Sequence, residues 1–188
     1  MLVAAKIVIT LLKLRIGVAI AASALAGLAV TSGEAASVAE IAALALAVLG
    51  ASGAAGAFNH YYERDSDRSM VRTRSRPFAS GVLKPGLVWP VTFASLLAAS
   101  IVLAYAASGT VSALYVFLGA ITYSVVYTVW LKRRTPQNIV VGGVAGSFAV
   151  LAGAAAISPE PQWTPSILAA VLFLWTPPHF WSLAAAKA

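Results

Sequence analysis

Residues 38–58 read VAEIAALALAVLGASGAAGAF and lead directly into residues 59–77, NHYYERDSDRSMVRTRSRP. The first stretch carries one charge in twenty-one residues, at Glu40. Wound as a helix, that length covers about 30 Å, the thickness of a bilayer's hydrocarbon core. The second stretch is its opposite: residues 59–86 hold three of the chain's six acids and six of its thirteen bases. An apolar helix ending in a dense charge cluster reads as a span emerging at a membrane surface. Five further apolar stretches repeat the first half of this pattern, at about 16–32, 87–107, 111–131, 139–157 and 165–185. The sequence therefore predicts an all-α, multi-pass transmembrane helix bundle with six spans, one domain over 1–188 and a motif loop at 59–86.

Composition agrees. The 188 residues are 60% hydrophobic and 10% charged, with a mean hydropathy of +0.86, which places the chain among membrane proteins. The excess of bases over acids does not point to a nucleic-acid partner, because no basic, aromatic-studded groove lies outside the spans. With no cysteine, disulfides, thiolate metal sites and cysteine nucleophiles are excluded. Lys6, Lys13 and Arg15 before the first apolar run resemble a signal peptide, but five spans behind it argue against cleavage.

The bases fix an orientation. Lys6, Lys13 and Arg15 precede span one; Arg64, Arg68, Arg72, Arg74, Arg76 and Lys84 follow span two; Lys132, Arg133 and Arg134 follow span four; Lys187 follows span six. All thirteen fall on one side, and the connections near 33–37, 108–110 and 158–164 carry none. Cytoplasmic loops are the ones enriched in Lys and Arg, so the N-terminus and both basic loops are expected in the cytoplasm; the expected location is a bacterial inner membrane. Small residues at helical spacing, Ser52 with Gly56 and Gly142 with Gly146, would let helix backbones approach closely. Tyr61 and Tyr62 fall where interfacial aromatic anchors are common.

If span two continues as helix, Asn59, Glu63 and Asp67 lie at i, i+4 and i+8, one stripe on one face. Arg64, Arg68 and Arg72 form a second stripe about 100° round. A solvated, salt-bridge-laced helix end is the plain alternative, but it favours opposite charges four apart. Here the pairs four apart are like-signed: Glu63 with Asp67, Arg64 with Arg68, Arg68 with Arg72. Oxygen ligands beside guanidinium groups suit a divalent ion and a polyanion between them. Mg²⁺ binds through one or two carboxylates plus phosphate oxygens, and Arg presents forked donors that match phosphate. Asp65 is a further candidate ligand, and Lys132 to Arg134 serve either topology or a phosphate. His179 is an ionisable group within span six, behind Pro177 and Pro178, which should interrupt that helix.

Three motifs carry a resemblance. The first is Asn59-x-x-x-Glu63-Arg64-Asp65-x-Asp67 running into Met70-x-Arg72-Thr73-x-x-Arg76-Pro77. The second is Tyr127-Thr128-x-x-Leu131-Lys132-Arg133-Arg134-Thr135-Pro136-x-Asn138-Ile139-Val140, with Gly142, Gly143 and Gly146 after it. The third is Leu174-Trp175-Thr176-Pro177-Pro178-His179-Phe180-Trp181. Together they resemble the UbiA-type membrane prenyltransferase superfamily, which includes 4-hydroxybenzoate polyprenyltransferase, and within it the branch whose acceptor is heme.

The resemblance implies transfer of a farnesyl group from farnesyl diphosphate, bound through Mg²⁺, to a vinyl group of heme B. It places metal and catalytic roles on Asn59, Glu63 and Asp67, with Asp65 as a further metal ligand. Diphosphate contacts fall on Arg72, Arg76 and Lys132, and His179 falls in the heme or acceptor chamber. Heme A synthase and oxidase assembly proteins are the partners it suggests. Glu63 stands where the superfamily usually has Asp, and Leu14 where relatives often have proline. Relatives have about nine spans and a second aspartate-rich motif, so a fragment, inactive by itself, is the expectation. An aromatic quinone precursor or chlorophyllide as acceptor, and a cation transporter or a non-catalytic heme-binding protein, are the competing readings. Functional acids buried within the spans would favour a transporter, and the sequence has none, since Glu34, Glu40 and Glu160 lie near the far side.

Overall fold

The computed structural model describes residues 2–186. They form helices α1 (Leu2–Leu11), α2 (Leu14–Ala29), α3 (Val38–Tyr62), the short α4 (Arg64–Ser69), α5 (Val88–Ile121), a π-helical segment (Thr122–Leu131), α6 (Asn138–Ala155) and α7 (Trp163–Ala185). No strand occurs among the described residues, and the architecture is the multi-pass helical bundle that the apolar stretches predict.

One helix start and two bends have an identifiable cause. A capping box opens α3: Ser37 Oγ accepts from the Glu40 N–H at 3.3 Å and the Glu40 carboxylate accepts from the Ser37 N–H at 2.7 Å. Two of the orphan N–H groups at that helix end are thereby satisfied. Lys13 breaks the first span. Its backbone is left-handed (φ 49, ψ 41), and α1 and α2 meet there at 49°. Gly109 (φ 77, ψ −178) interrupts α5 in a conformation open chiefly to glycine.

The Gly109 break is a hairpin between two crossings. Unbroken, the 44 residues from Val88 to Leu131 would reach about 66 Å, twice a bilayer's core. Instead both ends return to the same end of α3: Phe93 lies 6.3 Å from the Tyr61 ring, and Thr128 hydrogen-bonds Asn59. Four helices are long and apolar enough to cross a membrane, five with the bent α1–α2 pair counted as one span. Taking the halves of Val88–Leu131 separately makes six crossings.

The tightest seam joins α2 to α6, where a Cβ on Gly27 would overlap the Val150 carbonyl and one on Gly153 the Ala24 carbonyl. The anticipated small pairs serve other neighbours. Gly56 packs on the Lys13 side chain, Gly142 on Tyr127 and Gly146 on Leu172. A second cluster holds the motif loop down. Phe78, fully buried, meets Tyr61 and Trp89 edge-on at 5.3 and 5.2 Å. Tyr61 is thus a packing residue of this cluster, its hydroxyl donating to the Gly86 carbonyl, whereas Tyr62 is exposed.

One expectation fails at α7. The helix runs through Pro177 and Pro178 without interruption. A proline removes one N–H donor and strains the turn before it, and neighbouring groups in a membrane helix absorb that cost. Here Thr176 Oγ1 donates to the Leu172 carbonyl at 2.8 Å in that turn.

Candidate functional site

Helical bonding continues past the end of α3 at the residues that matter. Although Tyr62 ends α3, the Glu63 N–H donates to the Asn59 carbonyl at 3.0 Å and the Asp67 N–H to the Glu63 carbonyl at 2.8 Å. The register of the stripe survives, and Asn59, Glu63 and Asp67 are 1%, 4% and 1% exposed. Two carboxylates so deep need partners, because an unpaired buried charge costs several kcal/mol.

Each member of the stripe is met by a different base. Lys13 Nζ donates to Asn59 Oδ1 at 2.6 Å, Lys132 Nζ to Glu63 Oε2 at 2.5 Å, and Arg76 Nη1 to Asp67 Oδ2 at 2.7 Å. The Asn59 amide N–H groups complete the network, donating to Glu63 Oε2 at 2.8 Å and Thr128 Oγ1 at 3.2 Å. These bases arrive from the α1–α2 break, from the turn after the π segment and from the loop after α4.

The π segment explains the second base. An i→i+5 ladder winds by roughly 80–85° per residue instead of about 100°. Tyr123 and Lys132, nine residues apart, would face opposite sides of an α-helix, but the wider winding brings them within about 45°. The Lys132 N–H bonds the Tyr127 carbonyl at 2.9 Å and the Thr128 hydroxyl bonds the Tyr123 carbonyl at 2.9 Å, both five residues back. Tyr123 and Tyr127 stack at 5.5 Å; the Lys13 ammonium sits at the hydroxyl edge of Tyr123, 5.4 Å from its ring centroid, and the Lys132 ammonium lies 5.7 Å from that of Tyr127.

Below this cluster a cavity of about 690 Å³ extends into the bundle. Its mouth carries Lys13, Asn59, Arg72, Arg76 and Lys132; its depth is apolar, with Val48, Ala51, Val116, Ala120 and Ala149. This volume lies within the range of small-molecule sites, and a polar rim over an apolar barrel suits an amphipathic ligand with an anionic head.

The other predicted residues separate. Arg72 and Arg76 line the cavity, but Arg64 and Arg68 turn away, bonding the Tyr61 and Ala79 carbonyls. The second stripe is therefore split, with Arg72 on the cavity and Arg64 and Arg68 bracing the loop, because the chain leaves helical geometry at Met70. Asp65 is 71% exposed, 3.8 Å from Arg64 and 3.5 Å from Arg68, and does not join the buried stripe. His179 is half-buried, stacked on Trp175 at 4.2 Å, while Thr176 and Phe180 on the same helix line the cavity. Sequence reasoning gave no site role to Lys13, Tyr123, Thr128 or His60. His60, 3% exposed, lines the cavity, and its Nδ1 has no hydrogen-bond partner among the described residues. Only the wider winding after Ile121 and the left-handed residue 13 bring the first three here, and neither has a local sequence signal.

No group of three or more His, Cys, Asp or Glu side chains converges among the described residues, so a closed all-protein metal cage is absent from them. Two buried carboxylates and an amide oxygen on one face still fit Mg²⁺, which takes few protein ligands and fills its shell with water and phosphate.

Fold and site together define a multi-pass helical membrane protein with an acid–base cluster over an apolar chamber. The UbiA prenyltransferase family model matches residues 20–188, and the chain belongs to that family. It is 55% identical over 181 residues to protoheme IX farnesyltransferase 2 of Paramagnetospirillum magneticum, covering 96% of this chain and 63% of that protein. Protoheme IX farnesyltransferase 1 of the same organism is 56% identical over 128 residues, 68% of this chain and 44% of its own length. The protoheme IX farnesyltransferase of Granulibacter bethesdensis is 43% identical over 128 residues, covering 68% and 40%. The chain thus spans less than two thirds of the length of these relatives. No solved structure matches.

Proposed function

We propose that the protein transfers the farnesyl group of farnesyl diphosphate to a vinyl group of heme B, giving heme O, and that this chain holds the diphosphate end of the site. The observation that carries the reading is the buried Asn59–Glu63–Asp67 stripe, matched base for base at the mouth of an apolar chamber. The relatives' names supply the acceptor. Its place would be the bacterial inner membrane, with the stripe facing the cytoplasm as the distribution of Lys and Arg predicts.

The chain's residues divide the work by position. Arg72, Arg76 and Lys132 bind the diphosphate oxygens and hold negative charge as the carbon–oxygen bond of the allylic group breaks. Mg²⁺, held by Glu63 and Asp67 with the Asn59 oxygen, would supply further charge neutralisation to the leaving group. The apolar wall keeps water from the allylic cation, and the stacked Tyr123 and Tyr127 present π faces at the chamber mouth. The vinyl π electrons then form the new carbon–carbon bond, and a water oxygen caps the resulting cation beside the porphyrin and releases a proton. Asp65 and His179 have no role in this scheme.

Incubating the detergent-purified protein, with any residues encoded beyond Ala188, with heme B, farnesyl diphosphate and Mg²⁺ should yield heme O by chromatography and mass. Unchanged heme B, under conditions in which a relative converts it, would overturn the proposal. Prenylation of a hydroxybenzoate, a quinone precursor or chlorophyllide in its place would reassign the acceptor.

A further inference from the structure

Among the described residues Lys13 is the only non-glycine position with positive φ, a conformation that L side chains seldom adopt. Such outliers persist where the surrounding structure demands them, and here the demand comes from α3. The bend lays the lysine stem along Gly56, where a Cβ would approach its Cδ to 3.2 Å. The ammonium is carried to Asn59 Oδ1 at 2.6 Å and the Tyr123 hydroxyl at 2.8 Å.

A leucine at position 13 would fill the same notch, so packing alone does not call for a charge. The partners of that charge are also telling. Glu63 and Asp67 each have their own base, whereas among the described residues no carboxylate lies within ion-pair distance of Lys13. Its acceptors are a neutral amide oxygen and a phenol. A part-buried cation whose nearby carboxylates, Glu63 and Asp67, are each bonded to another base still has charge to offer an incoming anion. Lys13 lines the same cavity mouth as Arg72, Arg76 and Lys132.

We propose that Lys13 is a binding residue for the diphosphate of an allylic isoprenoid, delivered from the N-terminal bend, and that its ammonium leaves the Asn59 oxygen for a phosphate oxygen on loading. The inference rests on the proposed function, since it assumes that this mouth receives a diphosphate. It adds that the first span, and not only the motif loop, grips the head group.

The test uses the detergent-purified protein with any residues encoded beyond Ala188, and calorimetric binding of farnesyl thiolodiphosphate, which does not ionise, and of farnesol, each with Mg²⁺. Lys13→Met should weaken thiolodiphosphate binding by about 10- to 100-fold, the share of one charge-assisted hydrogen bond, and leave farnesol binding within twofold. Lys13→Arg should restore most of the loss. Lys13→Gln, which keeps a donor for Asn59, replaces the Met variant if that does not fold, and should weaken thiolodiphosphate alone. Equal losses for both ligands would make Lys13 a packing residue and overturn the proposal. So would unchanged thiolodiphosphate affinity in Lys13→Met while Glu63→Gln and Asp67→Asn abolish it, which would leave the site reading standing. No effect from any of these variants would remove the diphosphate site altogether.

Discussion

Replacing Arg76 with Met isolates the strongest electrostatic claim in the structure. Asp67's side chain is 2% exposed and its carboxylate takes one side-chain donor, Arg76 Nη1 at 2.7 Å. At an effective dielectric of about 20, the Coulomb attraction at that distance is roughly 6 kcal/mol, most of it offset by desolvating the two ions. Removing the base leaves the desolvation of Asp67 uncompensated, so Arg76→Met should destabilise by about 3–5 kcal/mol. Asp67→Asn is milder, about 1–2 kcal/mol, because Arg76 keeps an amide acceptor and partial access to water. The double variant should cost less than the two together, with a coupling of about 2–3 kcal/mol. Equilibrium unfolding in mixed detergent micelles, followed by tryptophan fluorescence, measures all three. The double variant should regain stability relative to Arg76→Met yet, if the proposed function holds, bind no Mg²⁺-dependent farnesyl diphosphate, since the proposed metal ligand and diphosphate contact are both gone. An Arg76→Met cost under about 1 kcal/mol would mean that water reaches Asp67, and the buried-stripe reading would fall.

The remaining predictions bear on neighbouring features. Gly153→Ala should cost at least about 1–3 kcal/mol in the same unfolding assay, because its Cβ meets the Ala24 carbonyl where nothing flexible can yield. Phe78→Ala should cost about 3–5 kcal/mol and raise KM for farnesyl diphosphate, since the ring pins the loop that carries Arg72 and Arg76. Asp65→Asn should change stability by less than about 1 kcal/mol and leave diphosphate affinity unaltered, because the carboxylate is itself exposed and its arginines lie at 3.5 and 3.8 Å; a lost affinity would restore it as a metal ligand. Thr128→Val should cost about 1 kcal/mol and weaken binding modestly by freeing the Asn59 amide, which calorimetry on the variant would register.

The acidic stripe was legible from spacing because helical bonding outlasts α3 by one turn, so a period of 3.6 still held at Asp67. The arginine stripe was not. The same period placed Arg64 and Arg68 toward the phosphate, but their guanidinium groups close onto the Tyr61 and Ala79 carbonyls that the turning chain leaves open. Pro177 and Pro178 misled in the other direction. The rule that proline ends a helix assumes water competing for the freed carbonyls, and α7 lies in a span where leaving the helix would expose still more backbone. Gly27 and Gly153 form the tightest seam, yet they sit on helices far apart in sequence, and no local spacing pairs them.

Lys13, Thr128 and Lys132 show the limit more sharply. Lys13 and Thr128 read locally as a flanking base and a span residue, Lys132 as either a topology determinant or a phosphate contact, and each reaches the cluster through a departure from α geometry that only the tertiary structure stabilises. One left-handed residue redirects Lys13, and ten residues of π winding carry Lys132 round by about half a turn. Both departures place a cation on the Asn59–Glu63–Asp67 stripe, so the irregular backbone and the charge cluster have a common cause. A regular α-helix from Val88 to Leu131 would leave Glu63 buried without a base. The stripe could then stay ionised only by admitting water into the chamber, the condition that an allylic cation would not survive.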